Sequence, residues 1–175
     1  MPGGGKSTVG RQLARALSRR FIDTDTEVER RIGGTIREFF DRAGEEAFRD
    51  LEEEVVGTLM SNSPDAVVAT GGGSILRASN RAVLRDHAVV FYLRATPEEL
   101  FRRLRRDTQR PLLQVRDPLR RLRELFAERD PLYRETAHYV VDTGRPSVPM
   151  LVNMILAQLE LAGLVDPNAA RKPPR

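Results

Sequence analysis

The stretch "PGGGKSTVG", residues 2–10, decides the fold. Three glycines run straight into Lys6, Ser7 and Thr8, and a helical pattern begins at once. Apolar Val9, Leu13, Ala14 and Leu17 share one face of the span Ser7–Arg20, with arginines on the other. A phosphate-binding loop has the form GxxxxGK[ST]. Its backbone amides cradle phosphates, its lysine reaches the β and γ oxygens, and its hydroxyl suits Mg2+. Gly5, Lys6 and Ser7 fill the last three places and open a helix whose N-terminus attracts phosphate; the motif's first glycine would fall one position before Met1. Gly3, Gly4, Gly5, Lys6, Ser7 and Thr8 are therefore the candidate nucleotide-binding residues.

Composition sharpens the case for Lys6. Of 29 cationic residues only Lys6 and Lys172 are lysines, so an individual arginine carries little information and the one lysine in the body of the chain carries much. A length of 175 residues suits one domain with a real core. With 40% hydrophobic and 31% charged residues, the chain has the balance of a soluble protein. No stretch approaches the roughly 18 apolar residues of a membrane span, and no basic segment leads into an apolar run, so a cytoplasmic protein without a membrane partner is expected. The absence of cysteine excludes disulfides, thiolate metal sites and cysteine nucleophiles. A net charge of +4 points to anionic partners, but "FRRLRRD" and "RDPLRRLRE" lack the interleaved aromatics of a nucleic-acid surface.

Outward from the loop, "RFIDTD", "DAVVAT", "HAVVFYLRA" and "HYVVDTG" read as strands. Helical patterns lie between them: "TIREFFDRAG" with a Thr35 cap and a Gly44 stop, the longer "EEAFRDLEEEVVGTLM", a short stretch near residues 80–85, and "TPEELFRRLRRD" with a Thr96/Glu99 capping box. A helix follows from Leu119 to about Thr136, interrupted near Pro131, and a last one from Val148 to Leu161. Such alternation implies an α/β fold, a central parallel sheet flanked by helices on both faces, with ligand sites at the carboxyl ends of the strands. One domain over residues 1–163 is expected, with a mobile lid near 107–118 and a disordered tail over 164–175.

The glycine loop, "DTD" and "TGGG" all fall at that end of the sheet. Asp23 and Asp25 either cap the helix that follows or turn two carboxylates the same way, one toward Mg2+ and one toward a substrate hydroxyl. Gly71, Gly72 and Gly73 form a turn or let backbone approach a ligand closely. Arg49 has glutamates within helical reach, Arg110 sits in the lid and Arg134 sits near a helix end. His87 and His138 have no partners at metal spacing.

The ordered set "GGGKSTVGRQLA", "DTD", "FRDLE", "TGGG", "RPLL", "DPLYRETA" and "VDT" resembles shikimate kinases along nearly the whole chain. The resemblance implies a P-loop kinase, a transferase that uses ATP and Mg2+ to phosphorylate the 3-hydroxyl of shikimate in the pathway to chorismate and the aromatic amino acids. It assigns Arg49 and Arg134 to the shikimate carboxylate, with Glu52 orienting Arg49. Asp25 becomes the candidate base, and Ser7 with Asp23 holds Mg2+. Gly72, between Gly71 and Gly73, offers an amide to the substrate, while Lys6 and Arg110 neutralise phosphate charge and Arg145 lines the adenine pocket. The family precedent leans to a monomer. Rival readings are a gluconate or nucleoside monophosphate kinase, or a GTP-dependent switch, for which an NKxD motif is absent.

The resemblance also implies an apolar strand entering the loop through its first glycine, and neither is present ahead of Met1 in the sequence. A chain extended by a short apolar strand and a glycine is expected to melt at a higher temperature and turn over faster than the 175-residue chain. Equal melting temperature and equal turnover would refute that expectation.

Overall fold

A computed structural model describes residues 3–104 and 115–166. Helix α1 (Lys6–Ala16) starts on Gly5, whose φ of 80° places it in the left-handed region that glycine enters without a Cβ penalty. Strand β1 (Phe21–Asp23) runs into α2 (Thr24–Ile32), where the Asp23 side chain caps the helix by accepting from the Asp25 amide. Helix α3 (Ile36–Asn62) opens on a complete Thr35/Glu38 capping box and is broken at Gly44, with φ 84° and ψ 172°, where the glycine signals a stop. Strand β2 (Val67–Ala69) leads through the glycine turn to a 3-10 turn at Ser74–Leu76 and to α4 (Ala78–His87).

Strand β3 (Phe91–Arg94) precedes α5 (Pro97–Leu104), where the Thr96 amide donates to Glu99 Oε2 at 2.8 Å. Helix α6 (Pro118–Thr136) is capped by Asp117 and is followed by β4 (Tyr139–Asp142) and α7 (Val148–Leu161). Pro131 lies inside α6, where it deprives the Ala127 carbonyl of its usual donor. The helix nevertheless continues for five residues to Thr136, so the expected interruption is a local loss of one hydrogen bond and not an end. No helix among the described residues is long and apolar enough to cross a membrane.

The strands pair in parallel, but as two pairs and not as one continuous sheet. Phe21 to Asp23 lie beside Val67 to Ala69, and Phe91 to Arg94 lie beside Tyr139 to Asp142. Between β2 and β3 runs a groove of about 660 Å³, walled by Val67 and Phe91 and floored by Leu13 of α1 and Ile155 of α7. Parallel neighbours pair at about 4.8 Å, so a groove of this size keeps the two ladders apart. Helices α1 and α7 bridge the gap through a shared cluster of Val9, Leu13, Val141, Leu151, Val152, Ile155 and Leu159.

Each pair has its own apolar packing besides. Val28, Phe48, Val55 and Leu59 join α2 to α3, while Ala95, Leu100, Leu122 and Leu125 join α5 to α6. Leu122 is 0% exposed and Met150, on α7, is 54% exposed. Leu122→Ala is expected to cost about 2–5 kcal/mol in urea unfolding through the cavity it leaves. Met150→Ala should stay within about 0.5 kcal/mol of the parent. Equal effects at the two positions would contradict this view of the core.

Candidate active site

A second cavity, of about 410 Å³, opens where α1 begins and β1 and β2 end. Its walls are Gly3 to Thr8, Asp23, Asp25, Thr70, Gly72, Gly73 and Arg129. The glycine loop and first turn of α1 thus face the two aspartates after β1 and the glycine turn after β2. This is the end of a parallel sheet at which ligands bind.

On the loop side, Lys6 is the first residue of α1 and lies on the cavity wall. Ser7 Oγ donates to Asp23 Oδ2 at 2.7 Å, while Asp23 Oδ1 accepts from the Asp25 amide at 3.1 Å. Ser7 and Asp23 therefore present adjacent hard oxygen atoms at the mouth of a helix N-terminus. Such a donor set fits Mg2+, which prefers one or two carboxylates together with substrate phosphates.

The acceptor side is organised by a buried carboxylate. Glu52, 2% exposed, accepts from Arg49 Nη1 at 2.6 Å and from Ser74 Oγ at 2.7 Å. Arg49 is further held by Glu45, and its guanidinium lies 5.1 Å from the centre of the Phe48 ring. The glycines that follow β2 are demanded by this packing. A Cβ on Gly71 would come within 2.6 Å of Asp25 Oδ1 and 3.0 Å of Glu52 Oε1, and one on Gly73 would run into the Arg49 guanidinium. Arg49 thus lies directly behind the glycine turn that lines the cavity.

Asp25 keeps substantial exposure to solvent, yet its carboxyl is held above the ordinary aspartate value. Loss of hydration among the surrounding protein atoms is the main cause. The negative charges of Asp23 and Glu52 add to it, and Lys6 opposes it. The result is a carboxylate more basic than a free one, beside a phosphate loop.

The arginines sort differently from the sequence expectation. Arg134 Nε donates to Asp130 Oδ2 at 2.7 Å, its side chain is half exposed, and it is absent from the cavity wall. The cavity is lined instead by Arg129, one turn earlier on α6, whose side chain is 16% exposed. Arg129 Nη1 reaches the Gly72 carbonyl at 3.4 Å, and its buried Nε has no hydrogen-bond partner among the described residues. A buried guanidinium donor left unsatisfied is costly, and an anion in the cavity would relieve it. Arg145 is exposed and off this cavity wall. Arg110 and most of the expected lid lie outside the described residues.

Sequence reasoning missed Arg129 among 27 arginines, but a signal was present. Arg129 and Tyr133 are four apart on a helix and share a face, and Tyr133 turns inward to the Gly72 carbonyl. Arg134 falls on a different face. Thr24 was also missed: 1% exposed, its Oγ1 accepts from the Gly71 amide at 2.8 Å.

The chain is similar to known proteins along nearly its whole length. The sequence model of the family described as shikimate kinase matches residues 2–160. A shikimate kinase of Paracidovorax citrulli is 59% identical over 170 residues, covering 96% of this chain and 93% of the relative. One of Ralstonia nicotianae is 52% identical over 171 residues, covering 98% and 90%. Among solved structures, a shikimate kinase from Acinetobacter baumannii in complex with shikimate superposes with a TM-score of 0.85 at 45% identity, covering 94% of this chain and 90% of that one. The Aquifex aeolicus enzyme gives 0.81 at 32% identity, covering 94% and 95%.

The raised carboxyl of Asp25 has a measurable sign. Its protonated form is favoured by folding, so stability is lost as pH rises from the unfolded-chain value near 3.8 through the raised folded value. Without ligands, Asp25→Asn is therefore expected to melt at or above the parent temperature at pH 7. That advantage should shrink toward zero below about pH 4. A variant clearly less stable than the parent at pH 7 would contradict the electrostatic reading.

Proposed function

The chain belongs to the shikimate kinase family, and on that premise we propose how the residues of its cleft divide the transfer of the γ-phosphoryl group of ATP to the 3-hydroxyl of shikimate. The observation that carries the assignment is the single cavity shared by the glycine loop, Asp25 and Arg129, which puts phosphate-binding, proton-accepting and anion-binding groups around one space.

Gly3, Gly4 and Gly5 with the first turn of α1 receive the ATP phosphates, and Lys6 and Thr8 complete that wall. Ser7 and Asp23, whose side chains are 2.7 Å apart, would hold Mg2+. Bound there, Mg2+ would neutralise charge on the β and γ phosphates. Asp25 takes the proton of the acceptor hydroxyl, a task suited to a carboxylate more basic than usual. Arg129, a cavity-wall guanidinium whose Nε makes no hydrogen bond among the described residues, binds the shikimate carboxylate, and Arg49 supports it from behind Gly73. Arg129 replaces Arg134 in this role because Arg134 is committed to Asp130. Glu52 fixes Arg49, and Gly71 to Gly73 keep the acceptor close to Asp25.

Phosphoryl transfer is carried mainly by alignment and charge neutralisation, so Lys6 should matter most to rate and the arginines most to acceptor affinity. A cytoplasmic place accords with its small-molecule substrates. Coupled ADP-release assays should show turnover with shikimate and none with gluconate or nucleoside monophosphates. Arg129→Ala and Arg49→Ala should raise the KM for shikimate at least about tenfold, as loss of a charge-assisted hydrogen bond predicts, while ATP binding persists. Lys6→Ala should lower kcat by roughly a hundredfold or more. Arg134→Ala should change the KM for shikimate less than Arg129→Ala; the reverse order would restore Arg134 to the site.

A further inference from the structure

We propose that the Tyr133 hydroxyl is a positioning group for the acceptor, setting the orientation of the Gly72–Gly73 peptide so that the glycine turn presents the Gly73 amide to the cleft. The proposal rests on the cleft being the shikimate site.

The turn needs outside support because three successive glycines have wide backbone freedom and no side chains to pack. Each peptide plane in it has an anchor. The Gly71 amide donates to buried Thr24 Oγ1 at 2.8 Å, which fixes the plane between residues 70 and 71. The Gly71 carbonyl accepts from the Ser74 amide at 3.2 Å, fixing the next plane, and the Gly73 carbonyl accepts from the Leu76 amide at 2.9 Å. The plane between Gly72 and Gly73 is left, and its anchor comes from another element: Tyr133 donates to the Gly72 carbonyl at 2.6 Å. No cis peptide occurs among the described residues, so with this carbonyl turned to α6 the Gly73 N–H points away from α6.

Tyr133 is itself held firmly. Its ring stacks on Tyr92 with centroids 4.7 Å apart and packs on the cluster of Ala95, Leu100, Leu122 and Leu125. The Tyr92 hydroxyl in turn donates to Asp130 Oδ1 at 2.9 Å. Burial pushes the Tyr133 hydroxyl up to about 12, so it remains a donor throughout the working range.

The same bond protects Arg129. The Gly72 carbonyl has two donors on α6, Tyr133 at 2.6 Å and Arg129 Nη1 at 3.4 Å. While Tyr133 holds the carbonyl closely, Arg129 adds only a long contact to it and is itself steadied by a hydrogen bond with the Tyr133 side chain and by Glu128 at 3.8 Å. Without that hydroxyl, Arg129 loses one of its own anchors, becomes the carbonyl's principal donor and is drawn off the acceptor.

Tyr133→Phe keeps the ring, the stack and the apolar packing and deletes only the hydroxyl, which serves both the Gly72 carbonyl and Arg129. In the full-length protein it is expected to raise the KM for shikimate roughly three- to tenfold, the effect of one neutral hydrogen bond. The KM for ATP should stay at the parent value, the melting temperature should fall by no more than the few degrees that one hydrogen bond accounts for, and amide exchange at Gly73 should become faster. An unchanged KM for shikimate would overturn the proposal. So would a rise in both KM values together with a larger fall in melting temperature, which would mark a merely structural role. Arg49→Ala, assayed in parallel, separates the two levels. If it raises the KM for shikimate while Tyr133→Phe does not, the site reading stands and the role of Tyr133 falls. If neither variant raises it, the site reading fails and the proposal goes with it.

Discussion

A carboxylate buried to 2% exposure must be compensated on the spot, and Glu52 is the constraint around which the acceptor half of the cleft is arranged. One oxygen takes the Arg49 guanidinium and the other takes Ser74 Oγ, itself fully buried. Two segments are thereby tied: α3, which carries Arg49 and Glu52, and the turn after β2, which carries Gly71 to Ser74. Because Arg49 and Glu52 press directly on that turn, residues 71 and 73 have no room for side chains. The Gly71 amide then reaches Thr24 at the start of α2 and the Gly72 carbonyl reaches Tyr133 on α6, so α2, α3 and α6 are all referenced to the same few backbone atoms.

The charge layout follows from this framework. Loss of hydration, together with the charges of Asp23 and Glu52 crowding the same side, makes the Asp25 carboxyl reluctant to ionise, with Lys6 opposing them. Arg129 faces the same space with an unsatisfied buried nitrogen. Such an arrangement is uneasy when only protein atoms are present. It suits an anionic acceptor and a polyphosphate donor, whose charges meet the arginine, the lysine and the helix N-terminus. Asp130 shows the opposite solution a few ångströms of chain away. Burial would raise its carboxyl, but hydrogen bonds from Arg134 and Tyr92 and the charges of Arg134 and Arg94 hold it below the ordinary value. Its role is to hold neighbouring side chains, not to exchange protons.

Much of this was legible in the sequence because it depends on local chemistry. The glycine loop before an amphipathic helix, the capping boxes at Thr35 and Thr96, and the "DTD" and "TGGG" stretches at strand ends all have short-range signatures. The carboxyl-end rule brought them to one site without coordinates. What stayed hidden was long-range or composition-masked. Choosing Arg129 over Arg134 requires knowing which face of α6 is inward, and an arginine-rich helix blurs that pattern. Pro131 suggested a break that tertiary packing overrides. The division of the sheet into two ladders is equally invisible to strand periodicity, because it concerns which edges meet and not which residues are extended.

The tie from Gly72 to α6 also bears on how binding is felt through the molecule. One ladder belongs with α2 and α3 and the other with α5 and α6, each with its own apolar cluster, and α1 and α7 join them through the cluster they share. A ligand seated between the glycine loop and Arg129 would touch elements of both groups, so occupancy would brace them against each other as well as add binding energy to the native state.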